Sequence, residues 1–215
     1  MKPILVLALL AALASPGQAV TLLTFEGLQN LEPVQNFYNG GAGGFGSVGP
    51  NLGIVFNANA LAIIDADAGG TGNFGGEPSP DTALFFLSGT AILNYAAGFD
   101  TGFSFYYSAI NQPGSINVYD GIDGTGNLLA SLNLPTTPFN GGPDPTGQFS
   151  PFLPIGVAFN GIARSIDFGG TVNQIAFDNI TFGSATPSNG EVPEPATWTM
   201  VAGGVLALLV SRRRR

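Results

Sequence analysis

Gly102-Phe103-Ser104-Phe105-Tyr106-Tyr107-Ser108 is the stretch that decides the fold. Phe103, Phe105 and Tyr107 recur at every second position, with Ser104 and Tyr106 between them. That period of two sends alternate side chains to opposite faces of an extended chain. Ile116 and Val118 around Asn117 repeat it, the pattern of half-buried antiparallel strands. On either side, apolar and β-branched runs of four to eight residues recur, punctuated by Gly, Asn, Pro and Asp, and no stretch between 20 and 190 sustains a helical period. The strands expected are Thr21–Phe25, Ile54–Asn57, Leu61–Ala66, Ala83–Leu87, Ala91–Tyr95, Gly102–Ser108, Ser115–Tyr119, Leu128–Asn133, Gly156–Phe159, Arg164–Phe168 and Gln174–Phe182. That number suits two packed sheets, and the reading is an all-β, jelly-roll-type β-sandwich.

The last expected strand contains a phase slip. Ile175 and Phe177 share one parity, Ile180 and Phe182 the other, so the alternation breaks at Asp178-Asn179. A bulge there would restore a single apolar face. Asn39–Pro50, rich in Gly, and Pro135–Pro154, rich in Pro, read as long loops. Asp120-Gly121-Ile122-Asp123-Gly124-Thr125-Gly126-Asn127 reads as the turn between two strands.

Both ends of the chain read as processing segments. Residues 1–19 carry Lys2, an apolar run Ile4–Leu13, and small residues at Gly17 and Ala19, which together predict a secretory signal peptide cut after Ala19 by signal peptidase. A buried N-terminal helix is the alternative, but the run is not amphipathic. At the far end Val192-Pro193-Glu194-Pro195 precedes the uncharged run Ala196–Val210, and Arg212, Arg213, Arg214 and Arg215 close the chain. The run would form a single transmembrane helix of roughly 22 Å against a hydrocarbon core of about 30 Å, with the arginines snorkelling toward the cytoplasmic headgroups.

Pro-Glu-Pro, apolar helix and arginine cluster in that order resemble the sorting domain of the PEP-CTERM family of exported proteins. The resemblance implies recognition by an exosortase and removal of the helix and arginines near Pro-Glu-Pro. A permanent tail anchor is the alternative. The organisation expected is therefore signal peptide 1–19, sandwich domain 20–185, flexible linker 186–191 and sorting signal 192–215, with the protein transiently anchored in the inner membrane and ending at the cell surface or in the extracellular matrix.

Two of the 14 acidic residues, Glu191 and Glu194, lie at the sorting signal; the body keeps 12 and has Arg164 as its one basic residue, so it carries about −11. Such a body repels nucleic acid and anionic lipid. The chain has no cysteine, no histidine and no lysine after Lys2. Disulfides are therefore absent, and the Ser-His triad, the Cys nucleophile, the Schiff-base amine and the usual zinc ligands are all removed. Carboxylate chemistry, as in glycoside hydrolysis, and calcium-dependent chemistry survive. The expectation is a protein that is not an enzyme.

Leu23-Thr24-Phe25-Glu26-Gly27-Leu28 at the start and Gln174–Gly183 at the end resemble secreted jelly-roll modules, including carbohydrate-binding ones. The resemblance implies a structural calcium shared by an acidic residue near the first strand and another in the last, here Glu26 and Asp178. The alternative is a solvated Glu26 and an Asp178 that serves the bulge. Asp65–Gly76 fails as an EF-hand loop, because Gly76 stands where a bidentate Glu is required. For sugar binding, the aromatics in Gly-rich loops, Phe37, Tyr38, Phe45 and Phe74, are the candidates, with core packing as the alternative. The functional expectation is a non-catalytic, exopolysaccharide-associated surface protein, with a calcium-stabilised lectin-like module and a carboxylate glycosidase as the competing readings.

Overall fold

A computed structural model describes residues 21–137, 139 and 147–190. The expected signal peptide 1–19, the adjoining Val20 and the sorting segment from 191, helix 196–210 included, lie outside the described residues.

Among the described residues there are eleven strands and no helix: β1 Leu22–Leu23, β2 Ile54–Phe56, β3 Leu61–Ile64, β4 Thr82–Phe85, β5 Ala91–Phe99, β6 Gly102–Ser108, β7 Gly114–Tyr119, β8 Leu128–Leu134, β9 Leu153–Ala158, β10 Ala163–Gly170 and β11 Ala176–Phe182. Each overlaps a strand expected from periodicity. β1 stops early because Phe25 turns the chain at φ 63°, while β9 begins at Leu153, inside the stretch expected to be loop.

The strands form two antiparallel sheets. One runs β3-β4-β11-β6-β9, with β1 pairing β11; the other runs β2-β5-β10-β7-β8. The pairs β4–β11, β5–β10, β6–β9 and β7–β8 nest inside one another along the chain, so a single antiparallel ribbon has been rolled into two layers. That nesting is the jelly-roll arrangement, and it brings the start and end of the body together: Leu22 pairs with Thr181 and Leu23 with Ile180.

Phenylalanines fill the space between the layers. Phe103, Phe105, Phe168 and Phe177 are fully buried. Phe177 lies edge-on to Phe105 at 5.7 Å and to Phe168 at 5.0 Å, tying one sheet to the other. Each such pair adds about 0.5–1.5 kcal/mol beyond the area it buries.

The phase slip is a bulge. Register against β6 shifts between Asp178 and Thr181, and Asn179 takes φ 48°. Phe177, Ile180 and Phe182 thereby reach the same core. All seven residues of β11 are buried, because a second cluster of Phe74, Phe152, Ala83 and Ala176 covers part of its other face.

Candidate functional site

Glu26 lies just after β1 and Asp178 sits at the β11 bulge, so the roll-up that joins first and last strands also brings these carboxylates together. Ser79 lies between them. Its hydroxyl donates to Asp178 Oδ2 at 2.7 Å and lies 3.4 Å from Glu26 Oε1 and 3.1 Å from the Thr24 carbonyl. Asp178 also accepts the amides of Ser79 and Asn179 at 2.9 and 2.6 Å. Glu26 accepts the amides of Asp81 and Thr82 at 3.1 and 2.9 Å and the Thr82 hydroxyl at 3.2 Å.

Asp178 is fully buried, and desolvation pushes its pKa up to about 7. Hydrogen bonds from Ser79 and Asn179 pull it down by less, and the negative Glu26 adds to the rise. The Ser79 hydroxyl has one proton and three acceptors around it. A proton on Asp178 supplies the missing donor: the carboxyl can donate to Ser79 while Ser79 donates to Thr24. Tyr38 closes the cluster from the core side, its hydroxyl accepting the Phe25 amide at 2.7 Å. Burial above all, then the nearby charges, raises its pKa.

The structure thus unites the two residues expected to share calcium. In favour of an ion, the side-chain ligands on offer are all oxygen, and Asn179 Oδ1 beside them is buried with no hydrogen-bond partner. Against it, four main-chain amides already occupy the carboxylate oxygens, and no third Asp, Glu, His or Cys joins the pair to make a metal-sized group among the described residues.

Three of the four aromatics expected at a sugar-facing surface are inside. Phe37 and Tyr38 belong to the main core, edge-to-face at 4.9 Å, and Phe74 packs on Phe152 at 5.8 Å. Only Phe45 is exposed, at 58%. The Gly-rich loop is a lid over the core, and glycine lets it lie close: a Cβ at Gly49 would sit 2.6 Å from the Phe37 ring.

Sequence reasoning missed the residue that holds this lid. Glu32 is buried and accepts the amides of Gln29, Phe45 and Ser47 and the Ser47 hydroxyl. Burial alone would raise its pKa, but these bonds outweigh it and hold the carboxyl below its ordinary value. A lone Glu among Leu28, Leu31 and Val34, just ahead of the Gly-rich run, was the available signal.

After β11 the chain turns back across the sheet rather than leaving it. Ser104 Oγ donates to the Ser184 carbonyl at 2.9 Å, the Ser188 amide donates to Thr181 Oγ1 at 3.0 Å, and Asn179 Nδ2 donates to the Ser188 carbonyl at 3.2 Å. Gly156 makes room, since a Cβ there would collide with the Ala185 carbonyl. The segment expected as a flexible linker from 186 is therefore, through Gly190, a strap on β6 and β11.

Residues 191–215 match the PEP-CTERM protein-sorting motif.

The PEP-CTERM tail implies exosortase-targeted export and transient anchoring in the membrane, and it begins directly after the strap. No curated protein sequence matches the chain. Among solved structures, a glycoside hydrolase family 43 arabinoxylan arabinofuranohydrolase from Bacillus subtilis, in complex with cellotetraose, is similar at 20% identity and TM-score 0.37, over 59% of this chain and 24% of that one. The chain thus spans about a quarter of that enzyme's length. CsCBM6-3 from Clostridium stercorarium, in complex with cellobiose, is similar at 14% identity and TM-score 0.38, over 60% and 84% of the two chains. The K2 cleaved adhesin domain of Lys-gingipain is similar at 12% identity and TM-score 0.47, over 76% and 99%.

Proposed function

We propose that this chain is an exported, exosortase-processed surface or extracellular-matrix protein whose sandwich is non-catalytic and associates with exopolysaccharide. The observation that carries the reading is the PEP-CTERM motif at 191–215 behind a folded all-β body. That body has no histidine, no cysteine and a single basic residue, which leaves few groups for general base or nucleophilic chemistry. Asp178, whose pKa burial raises, is itself fully buried, away from any substrate. Signal peptidase acts first, after Ala19; the tail then holds the body at the outer face of the inner membrane until the exosortase acts.

The test is fractionation of cells producing the tagged chain. The processed form is expected with the matrix fraction and is expected to be released when the polysaccharide is digested. A chain that stays in the inner membrane at full length, or whose fractionation ignores the digestion, contradicts the reading.

The convergence of Glu26 and Asp178 favours a second reading, a calcium-stabilised carbohydrate-binding module. In it Glu26 and Asp178 would hold the ion, which would neutralise two carboxylates packed around Ser79 and fasten the first strand to the last.

A further inference from the structure

At one end of the sandwich the β5–β6 turn and the β9–β10 turn face each other across an open cleft of about 600 Å³ lined by Asp100, Thr101 and residues 158–162. That volume falls in the range of ligand pockets, about 300–1,000 Å³. We infer that this cleft is a binding site for a neutral sugar unit of a polysaccharide. The assignment rests on the polysaccharide-associated reading above and names the site and the ligand class.

The floor is apolar and fixed. Phe159 is half-buried, held edge-to-face against Phe99 at 5.6 Å, and Ile162 beside it is 50% exposed. A pyranose offers a C–H face that suits such a surface, with hydroxyls around its rim. The cleft supplies partners for those hydroxyls. Asp100 and Asn160 are exposed, and the Asn160 amide makes no side-chain hydrogen bond among the described residues. Asp100 Oδ1 accepts the Thr101 hydroxyl at 3.0 Å, and the carboxylate keeps further lone pairs for ligand hydroxyls.

The turn that carries Asp100 is strained. Thr101 is β-branched yet takes φ 73°, held by a bond from the Phe159 amide to its carbonyl at 3.4 Å and by the Gly102 amide, which bonds the Asp100 carbonyl at 2.8 Å. Such conformations cost about 1–3 kcal/mol and persist where the surroundings fix them, characteristically at ligand sites. The same bond sets the spacing between the two turns.

Charge selects the ligand class. The lining includes no cation, and the one basic residue of the body, Arg164, directs its guanidinium to the Asp120 carbonyl at 3.1 Å. With Asp100 at the rim and a body near −11, a uronic or sulfated sugar is repelled, whereas a neutral one is not.

The experiment is calorimetric titration of the full chain in detergent with neutral tetrasaccharides of glucose, xylose, mannose and galactose, and with polygalacturonate as the anionic probe. At least one neutral tetrasaccharide is expected to bind saturably. Asn160→Ala is expected to weaken it by about tenfold, the worth of one well-placed hydrogen bond. Ala158→Trp, an exposed position that fills the cleft without touching the core, is expected to abolish binding at unchanged melting temperature. Binding by none of the neutral probes, binding that survives Ala158→Trp, or preference for polygalacturonate would each overturn the assignment. A chain that still co-fractionates with matrix but binds no tetrasaccharide loses this site and keeps the wider reading; one that binds here but ignores the matrix does the reverse.

Discussion

Glu26 and Asp178, one beside the first strand and one in the last, meet at a single hydroxyl: Ser79 Oγ lies 2.7 Å from Asp178 Oδ2 and 3.4 Å from Glu26 Oε1. Two carboxylates share one proton donor in the part of the fold that joins its beginning to its end. The consequence is a dependence of stability on pH.

With chelator present, the fold is expected to lose stability as pH rises. Asp178 titrates at about 7 in the folded chain and at ~3.9 when unfolded, so its stabilising contribution is complete below the unfolded value and is lost as pH rises through about 7. Melts across that window should fall with pH, and Asp178→Asn, which cannot ionise, should flatten the fall. Millimolar calcium, if bound, adds about 2.7 kcal/mol at a hundredfold excess over Kd, which raises the melting temperature by about 2–4 °C per kcal/mol. Equal melts with calcium and with chelator above pH 7 would remove calcium from this junction; a flat pH profile in the wild type would remove the buried proton.

Glu32→Ala is expected to destabilise the body by roughly 3 kcal/mol, because three amides and one hydroxyl lose a buried charged acceptor at once. Residues 39–50 should become the first site of limited proteolysis. A melt within about 2 °C of wild type would show that the lid is held by its apolar contacts with Phe37 instead.

Gly156→Val is expected to lift the strap, since the new side chain would meet the Ala185 carbonyl and Ser104 Cβ. Residues 184–190 should then be cut by protease while β6 and β11 remain protected in hydrogen exchange. Protection of 184–190 equal to wild type would refute the docking.

Changing Pro193, Glu194 and Pro195 together to Ala is expected to leave the apolar run able to insert but to block processing, so the full-length membrane form accumulates. N-terminal sequencing of the exported form should read from Val20. Unchanged processing would make the motif only a helix boundary, and a start at Met1 in the extracellular fraction would refute signal-peptide cleavage.

Apolar and β-branched runs between turn signals, with the period of two at Phe103, Phe105 and Tyr107, gave a strand at each of the eleven places but not the start of β9, which lies in an expected loop; the broken parity at Asp178-Asn179 gave the bulge, and Asp120–Asn127 that turn. The order of Pro-Glu-Pro, apolar run and arginines was likewise sufficient for the sorting tail. These features are local: strand alternation, φ > 0 at Asp123, Gly124 and Gly126, and a terminal motif are each written within a few consecutive residues. Only the tertiary structure decided that Phe37, Tyr38 and Phe74 face inward, that Glu32 rather than any loop aromatic organises the Gly-rich segment, that 184–190 is docked, and that Asp100 and Asn160 share a cleft. Each of those depends on which surface a loop closes over. That choice is made by burial and hydrogen-bond satisfaction between segments far apart in the chain, and the neighbouring sequence marks it at most by a lone charge in an apolar run, as at Glu32.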